Sequence, residues 1–410
     1  MKVVLFAVRF PVAKIIEVIV GRVAPGFVNL LSILLVGRHL STTDYGAFSI
    51  TLATTALVAI CITGPIRFSI VPRRAAYEAQ GKGHDFERGV LSLLILSTSC
   101  LAVVGAILWS LGAVKFVWVA LAVGSAAFDG WLPVLQARMQ FWRYGAAAWT
   151  RAGAIVIFLY ITLAQEPTAS VALWAYLLGN LAGVIAGWTL SGCPLPGKLR
   201  GEMLRSTIGL GSSLTVANIS ESLLSLGMRY LVLWFGTPEF LGLFTYALDV
   251  AQRSVGVGVN VVAFAVVPKA YQTSANLGRQ AMQAYLIRVG TLAFTMAMLV
   301  VLLVLLLNSV GWLQHWLGMS LPGVIFGGVA TGVIVNRLKK LVLDPIAINF
   351  NSHVSIPMGY TIVAPIAAVC IAWLLQANHD ILVSVIYAAA YLGVAAITGM
   401  LLWLNVKQAR

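Results

Sequence analysis

The sequence predicts an all-α integral membrane protein: twelve transmembrane helices built as two parallel repeats of a six-helix bundle. Hydrophobic residues make up 60% of the chain, charged residues only 10%, and the mean hydropathy is +0.94, a balance foreign to soluble domains of this length. Inside a bilayer every backbone polar group must pair within its own segment or in a closed barrel. Uninterrupted apolar runs of about 20 residues exclude the short alternating strands of a barrel, so the spans are helices. The second observation is internal repetition. The stretch from Asp44 to Tyr77 returns as Phe240 to Tyr271 in one ungapped frame that superposes Gly46 on Gly242, Phe48 on Phe244, Phe68 on Phe264 and Val71-Pro72 on Val267-Pro268.

Residues 1–14 read as a basic interfacial lead-in, because Arg9, Pro11 and Lys14 interrupt an apolar run too short for a cleavable signal. The N-terminal bundle, 15–190, holds spans at Ile15–Gly37, Tyr45–Val71, Gly89–Ser110, Phe116–Gln136, Tyr144–Ala164 and Ser170–Leu190. A linker at 191–206 carries Cys193-Pro194-Leu195-Pro196-Gly197. The C-terminal bundle, 207–404, holds Thr207–Gly236, Leu241–Val267, Leu286–Asn308, Pro322–Leu343, Ile356–Gln376 and Ile381–Leu404, and 405–410 form a tail. An even number of spans per half makes both halves enter from the same side, the parallel type of repeat.

The net charge of +14 would suggest nucleic acid in a soluble chain; here its placement sets topology, and no nucleic-acid partner is expected. One side carries Arg73, Arg74, Lys82 and Arg88, then Arg138 and Arg143, Lys198, Arg200 and Arg205, Lys269 and Arg279, and finally Arg337, Lys339 and Lys340. The other has only Arg38 and Lys115. Both termini are therefore expected in the cytoplasm. The cysteines and histidines show no metal-ligand spacing and there is no GxxxxGK[ST] loop, so no metal, cofactor or ATP hydrolysis is expected. No loop is long enough to carry a catalytic domain, which points away from an enzyme.

Ionisable residues inside spans cost about 2.5 to 3.5 kcal/mol on insertion scales and mark cavities or partners. Arg253 is the deepest. Tyr246, Asp249, Arg253 and Asn260 share one helix face, and an intrahelical Asp249–Arg253 pair competes evenly with a cavity role. Asn218, Glu221, Ser225 and Arg229 share a face of the seventh span, and Arg22, Gly26 and Asn29 a face of the first, beside Pro25. Arg22 either lines a cavity or snorkels, and Arg67 is expected to snorkel to the interface. Arg151 is open to both readings. Asp129 is read first as the partner of Arg151 and second as a proton or cation site. Across the leading helix pairs, Arg22, Arg67, Arg229 and Arg253 outnumber Glu17, Glu221 and Asp249, which suits a phosphate-bearing substrate because guanidinium recognises phosphate oxygens in a fork.

The turn Leu40-Ser41-Thr42-Thr43-Asp44-Tyr45-Gly46, followed by GPIRFSIVPRR and repeated as Gly236-Thr237-Pro238-Glu239-Phe240-Leu241-Gly242, resembles the polysaccharide-biosynthesis flippases of the Wzx type. These belong to the multidrug, oligosaccharidyl-lipid and polysaccharide (MOP) exporter superfamily, which has a MATE-like fold. Ser41 departs from the glycine usual there, and the signature covers only these turns and the spans behind them. The resemblance implies two bundles forming a V around a cavity lined by spans one, two, seven and eight. It further implies alternating access that carries a polyprenyl-pyrophosphate-linked oligosaccharide to the outer leaflet of a bacterial inner membrane, for lipopolysaccharide or exopolysaccharide export. Arg22 and Arg253 take the pyrophosphate on this reading, with Arg229 and Arg67 behind them and Asn29, Asn218 and Tyr246 lining the cavity. A polysaccharide polymerase and glycosyltransferases of the same pathway would be its partners.

Two other readings compete. A cation-coupled exporter of small organic molecules would use Asp249, Glu221 or Asp129 as its coupling site and would favour an acidic cavity. A membrane-embedded glycan polymerase or transferase is disfavoured by the short outer loops.

Overall fold

The computed structural model describes residues 21, 24–78, 80–138, 140–198, 201–311, 314, 322–350, 355–377 and 380–408. Among them are twelve long helices: α1 (Ala24–His39), α2 (Thr42–Glu78), α3 (Gly83–Ser110), α4 (Phe116–Ala137), α5 (Phe141–Leu163), α6 (Ala169–Leu190), α7 (Gly201–Phe235), α8 (Pro238–Leu277), α9 (Arg279–Ser309), α10 (Gly323–Asn349), α11 (Ser355–Gln376) and α12 (Asp380–Gln408). Eight of them, α2 to α6, α9, α11 and α12, are long and apolar enough to cross a membrane. The other four are α1, with 16 described residues, and α7, α8 and α10, which carry the interior charges discussed below. The lead-in 1–14, Glu17 and Arg22 lie outside the described residues.

The repeated turn motif has a local cause. Ser41 Oγ accepts the Asp44 N–H at 3.1 Å and donates to its carboxylate at 2.7 Å, while Thr237 Oγ1 accepts the Phe240 N–H at 3.1 Å with Pro238 in the first turn. Each hydroxyl caps a helix that would otherwise leave its first N–H groups unpaired. Asp44 and Glu239 add an acid to the positive end of the same helices.

Two expectations need correction. α2 and α8 do not stop at Pro72 and Pro268 but continue to Glu78 and Leu277, so Arg73, Arg74 and Lys269 sit on helix rather than in loops. A proline removes one N–H and strains one turn, and flanking turns past the apolar stretch can hold the helix. Likewise Arg337, Lys339 and Lys340, counted above with the charges of the cytoplasmic side although they fall in the expected span Pro322–Leu343, lie inside α10, more than two turns before its end; Lys339 is 2% exposed.

The packing is nearly the same twice. α2 with α4, α4 with α6, α5 with α6, α1 with α5 and α2 with α3 recur as α8 with α10, α10 with α12, α11 with α12, α7 with α11 and α8 with α9. The main contacts between the halves join α2 to α7, α2 to α8 and α1 to α8. Where α2 crosses α8 the superposed glycines meet: a Cβ on Gly46 would stand 3.1 Å from the Leu241 side chain, and one on Gly242 would stand 2.9 Å from Thr42 Cβ. In lipid, where apolar burial drives little, small residues let backbones approach and packing supplies the attraction.

One apolar core runs through both halves at the end where α2 and α8 begin, joining Tyr45, Phe48 and Tyr176 to Phe244, Val329 and Tyr391. Towards the opposite end the core divides. Ile70, Phe86 and Trp131 cluster in the N-terminal half, with Met203 of α7, while Val266, Met282 and Leu286 cluster in the C-terminal half.

Candidate functional site

Above the divide the halves are joined by a dry polar knot. Arg229 Nη2 donates to Asp249 Oδ1 at 2.8 Å, and its Nη1 reaches Ser49 Oγ at 2.7 Å and the Ser49 carbonyl at 3.1 Å. Ser49 and Tyr45 each donate to Asp249 Oδ2, at 2.7 and 2.9 Å. Arg229 is 4% exposed and Asp249 9%. Two residues of α2 thus complete an ion pair between α7 and α8. The local Asp249–Arg253 pair expected from spacing is not formed; the carboxylate takes the more buried partner, which also brings two hydroxyls.

Freed of Asp249, Arg253 turns to the N-terminal half and donates from Nη1 to the Asn29 carbonyl at 2.9 Å. It borders a cavity of about 590 Å³ between the halves, lined also by Pro25, Asn29, Arg67, Asp129, Arg151, Tyr176, Gln252 and Arg337. That volume falls in the range of small-molecule sites. Arg67 lies 3.7 Å from Asp129, both side chains about one-third exposed, so Arg67 faces the cavity instead of snorkelling away. Arg151 donates to Asn180 Oδ1 at 2.7 Å and lies 4.7 Å from the Phe128 ring centroid; Asn180 in turn donates to Ser125 Oγ at 2.9 Å. These contacts fix the guanidinium on the wall without neutralising it. Asp129 is thus the direct partner of Arg67, not of Arg151. The cavity extends to Val71, Gln136 and Tyr144, next to the basic end of the molecule.

A smaller cavity of about 190 Å³ lies between α2 and the C-terminal half, bordered by Ala53, Glu221, Arg229, Asn336 and Tyr391, and Gln252 and Arg337 border both. Glu221 is held by Lys340 and by Asn336 Nδ2 at 2.8 Å, and Tyr360 donates to Asn336 Oδ1 at 2.8 Å. Lys340 also reaches Asn218 Oδ1 at 3.3 Å. Lys339 pairs with Asp344 at 2.8 Å.

At the basic end Glu87, 3% exposed, accepts from Arg74 Nε at 2.7 Å and is gripped by Arg138. The hydrogen bond to Glu87 pushes the Arg138 guanidinium pKa above its ordinary value. This knot ties α2, α3 and the end of α4.

The structure therefore brings together Asn29, Arg67, Asp129 and Arg253 of the expected site. It does not bring Arg229, Asn218, Tyr246 or Asp249 to that cavity. Arg229 and Asp249 form the knot, Asn218 bonds the Leu214 carbonyl, and Tyr246 is fully buried against Tyr45 with its hydroxyl unpartnered among the described residues. Glu221 belongs to the smaller cavity. Arg337 and Gln252 were missed. The signal for Arg337 was present, an arginine deep in the apolar run before Leu338, but adjacent lysines made it look like a loop charge. No group of His, Cys, Asp and Glu among the described residues could hold a metal ion.

No protein-family model matches the chain, and no curated protein matches it by sequence. Its fold is that of MATE family transporters of the MOP superfamily, in a multi-pass membrane arrangement. A multidrug resistance MATE family transporter of that superfamily superposes in its inward-facing form with a TM-score of 0.65 and 13% identity, covering 94% of this chain and 96% of the other. An outward-facing conformation of a multidrug resistance MATE family transporter of that superfamily gives 0.65 and 14%, covering 96% of each. A MOP superfamily transporter from Pyrococcus furiosus, described as having a binding pocket of reverse polarity that suggests a different function, gives 0.69 and 12%, covering 96% and 95%.

Proposed function

We propose that the chain is a MOP-type transporter, not an enzyme. It would pass a polyprenyl-pyrophosphate-linked oligosaccharide from the inner to the outer leaflet of a bacterial cytoplasmic membrane by alternating access, with both termini cytoplasmic. The observation that supports this most is the charge of the central cavity, where, among the described residues, Arg67, Arg151, Arg253 and Arg337 face one carboxylate, Asp129. A diphosphate matches guanidinium geometry and repays the desolvation of several cations at once. At about 590 Å³ the cavity suits the diphosphate and the first sugars, with the polyprenyl tail left in lipid. Glycosyltransferases and a polysaccharide polymerase would stand upstream and downstream. Arg22 keeps its proposed role in pyrophosphate binding beside Arg253.

A second reading, a cation-coupled multidrug exporter, draws on what the neighbouring structures are described as moving. It would couple through Asp129, the carboxylate on the central cavity among the described residues, while Glu221 and Asp249 are committed to Lys340 and Arg229. The test is reconstitution in vesicles with a fluorescent polyprenyl-diphosphate glycan. Wild type should accelerate its crossing, and Arg253→Ala with Arg151→Ala should abolish that while still inserting. Unchanged crossing in the double variant, or none in wild type alongside proton-driven dye efflux, would overturn the flippase reading.

A further inference from the structure

A second basic hollow, of about 480 Å³, opens where α2 ends, α3 begins and the linker passes into α7. We infer that it binds the phosphate of an anionic phospholipid headgroup, whatever cargo the central cavity carries. Four cations, Arg73, Lys82, Arg88 and Lys198, line it with two carboxylates, Asp85 and Glu202. Arg73 Nε is buried and has no hydrogen-bond partner among the described residues, and Lys82 and Lys198 are exposed.

The walls are built, not incidental. The linker is stitched to α3: the Gly197 N–H donates to the Arg88 carbonyl and to Ser92 Oγ, both at 3.0 Å, and Ser92 Oγ donates to the Gly197 carbonyl at 2.7 Å. A Cβ at position 197 would stand 2.7 Å from Arg88 Cβ, so only glycine lets the linker lie this close. Arg88 Nε donates to the Leu195 carbonyl at 3.3 Å, which holds its fork at the rim. Beneath, Tyr77 stacks on the buried Phe86 at 4.9 Å.

Height selects a lipid over a soluble phosphate. In the sequence the apolar run of α2 gives way after Val71 to Pro72, Arg73 and Arg74, and Arg73 already lines the hollow, so the cations stand at the level of headgroups. Basic pockets at that level attract anionic lipid at about 1 kcal/mol per Lys or Arg near the surface. Because Lys198 lies on the linker and Arg73 and Arg88 on the first half, one headgroup would bridge the end of α2 and the strap leading to the second half.

The full chain in neutral detergent would be titrated with dioctanoyl-phosphatidylglycerol and read by native mass spectrometry. One lipid should bind saturably, phosphatidylcholine should bind more weakly, and Lys82→Gln with Lys198→Gln should weaken phosphatidylglycerol about tenfold or more. Both lysines are exposed, so the variant should fold, and Lys198→Gln alone should show an intermediate loss. Arg253→Ala, in the other cavity, should leave this binding intact. Equal affinity in wild type and the lysine variants would overturn the site. Retention of glycerol phosphate as tightly as the lipid would overturn the lipid assignment.

Discussion

Arg229 of α7 and Asp249 of α8 stand 2.8 Å apart in a setting almost without solvent, and Ser49 of α2 hydrogen-bonds to both. The pair lies within the second half of the chain yet is completed by the first. Removing one member of such a pair strands a buried charge at a cost of about 3 to 5 kcal/mol, whereas replacing both by apolar residues of similar volume is often neutral or stabilising. Arg229→Met should therefore lower stability by that amount, and Arg229→Met with Asp249→Leu should recover most of it. Denaturant titration in micelles, followed by tryptophan fluorescence, measures both.

Crowding the crossing of α2 and α8 should loosen the same end without touching charge. Gly242→Val places atoms against Thr42, and overpacking of this kind typically costs about 1 to 3 kcal/mol. Spin labels at the exposed Thr43 and Glu239 should report a longer or broader distance distribution in the variant than in wild type.

Arg337 and Arg151 should matter to transport although neither belongs to the leading helices of its half. Each hydrogen bond between a guanidinium and a phosphate is worth about 1.5 to 3 kcal/mol. Arg337→Gln and Arg151→Gln should each weaken diphosphate binding by about tenfold to a hundredfold. Isothermal titration with a short-chain prenyl diphosphate checks this, and the inserted amount should stay at wild-type level.

Glu87 holds two arginines at the basic end. Glu87→Ala would remove the carboxylate that Arg74 and Arg138 share, leaving Arg74 with Glu78 and the Ala137 carbonyl and Arg138 with the Ser191 carbonyl, so the loss should be about 3 kcal/mol, the lower end for breaking a buried pair. Glu87→Gln should fall between, since its amide oxygen can still accept one of the bonds. Thermal unfolding of the two variants should rank them in that order.

The parts of this architecture that repeat were legible in the sequence. Glycines at 46 and 242 and the capping hydroxyls at 41 and 237 fall in one frame, because each half meets the same packing and capping problem. Helix number followed from apolar run length alone. Pairing was harder. Asp249 and Arg253 are four residues apart and so look like partners, but the true partner, Arg229, is on another helix and is favoured by two hydroxyls of α2 that no local spacing reveals. Arg337 was hidden for a related reason: beside Lys339 and Lys340 it reads as a loop charge, and only the acids Glu221 and Asp344 packed against those lysines let the cluster sit inside a helix.

Gln252 and Arg337 each touch two chambers, the central cavity and a smaller one closed by α2 on one side and the second half on the other. They act as a party wall two side chains thick. An anion held by Arg337 in the central cavity therefore offsets part of the positive charge that Glu221 faces in the smaller one, because one guanidinium borders both.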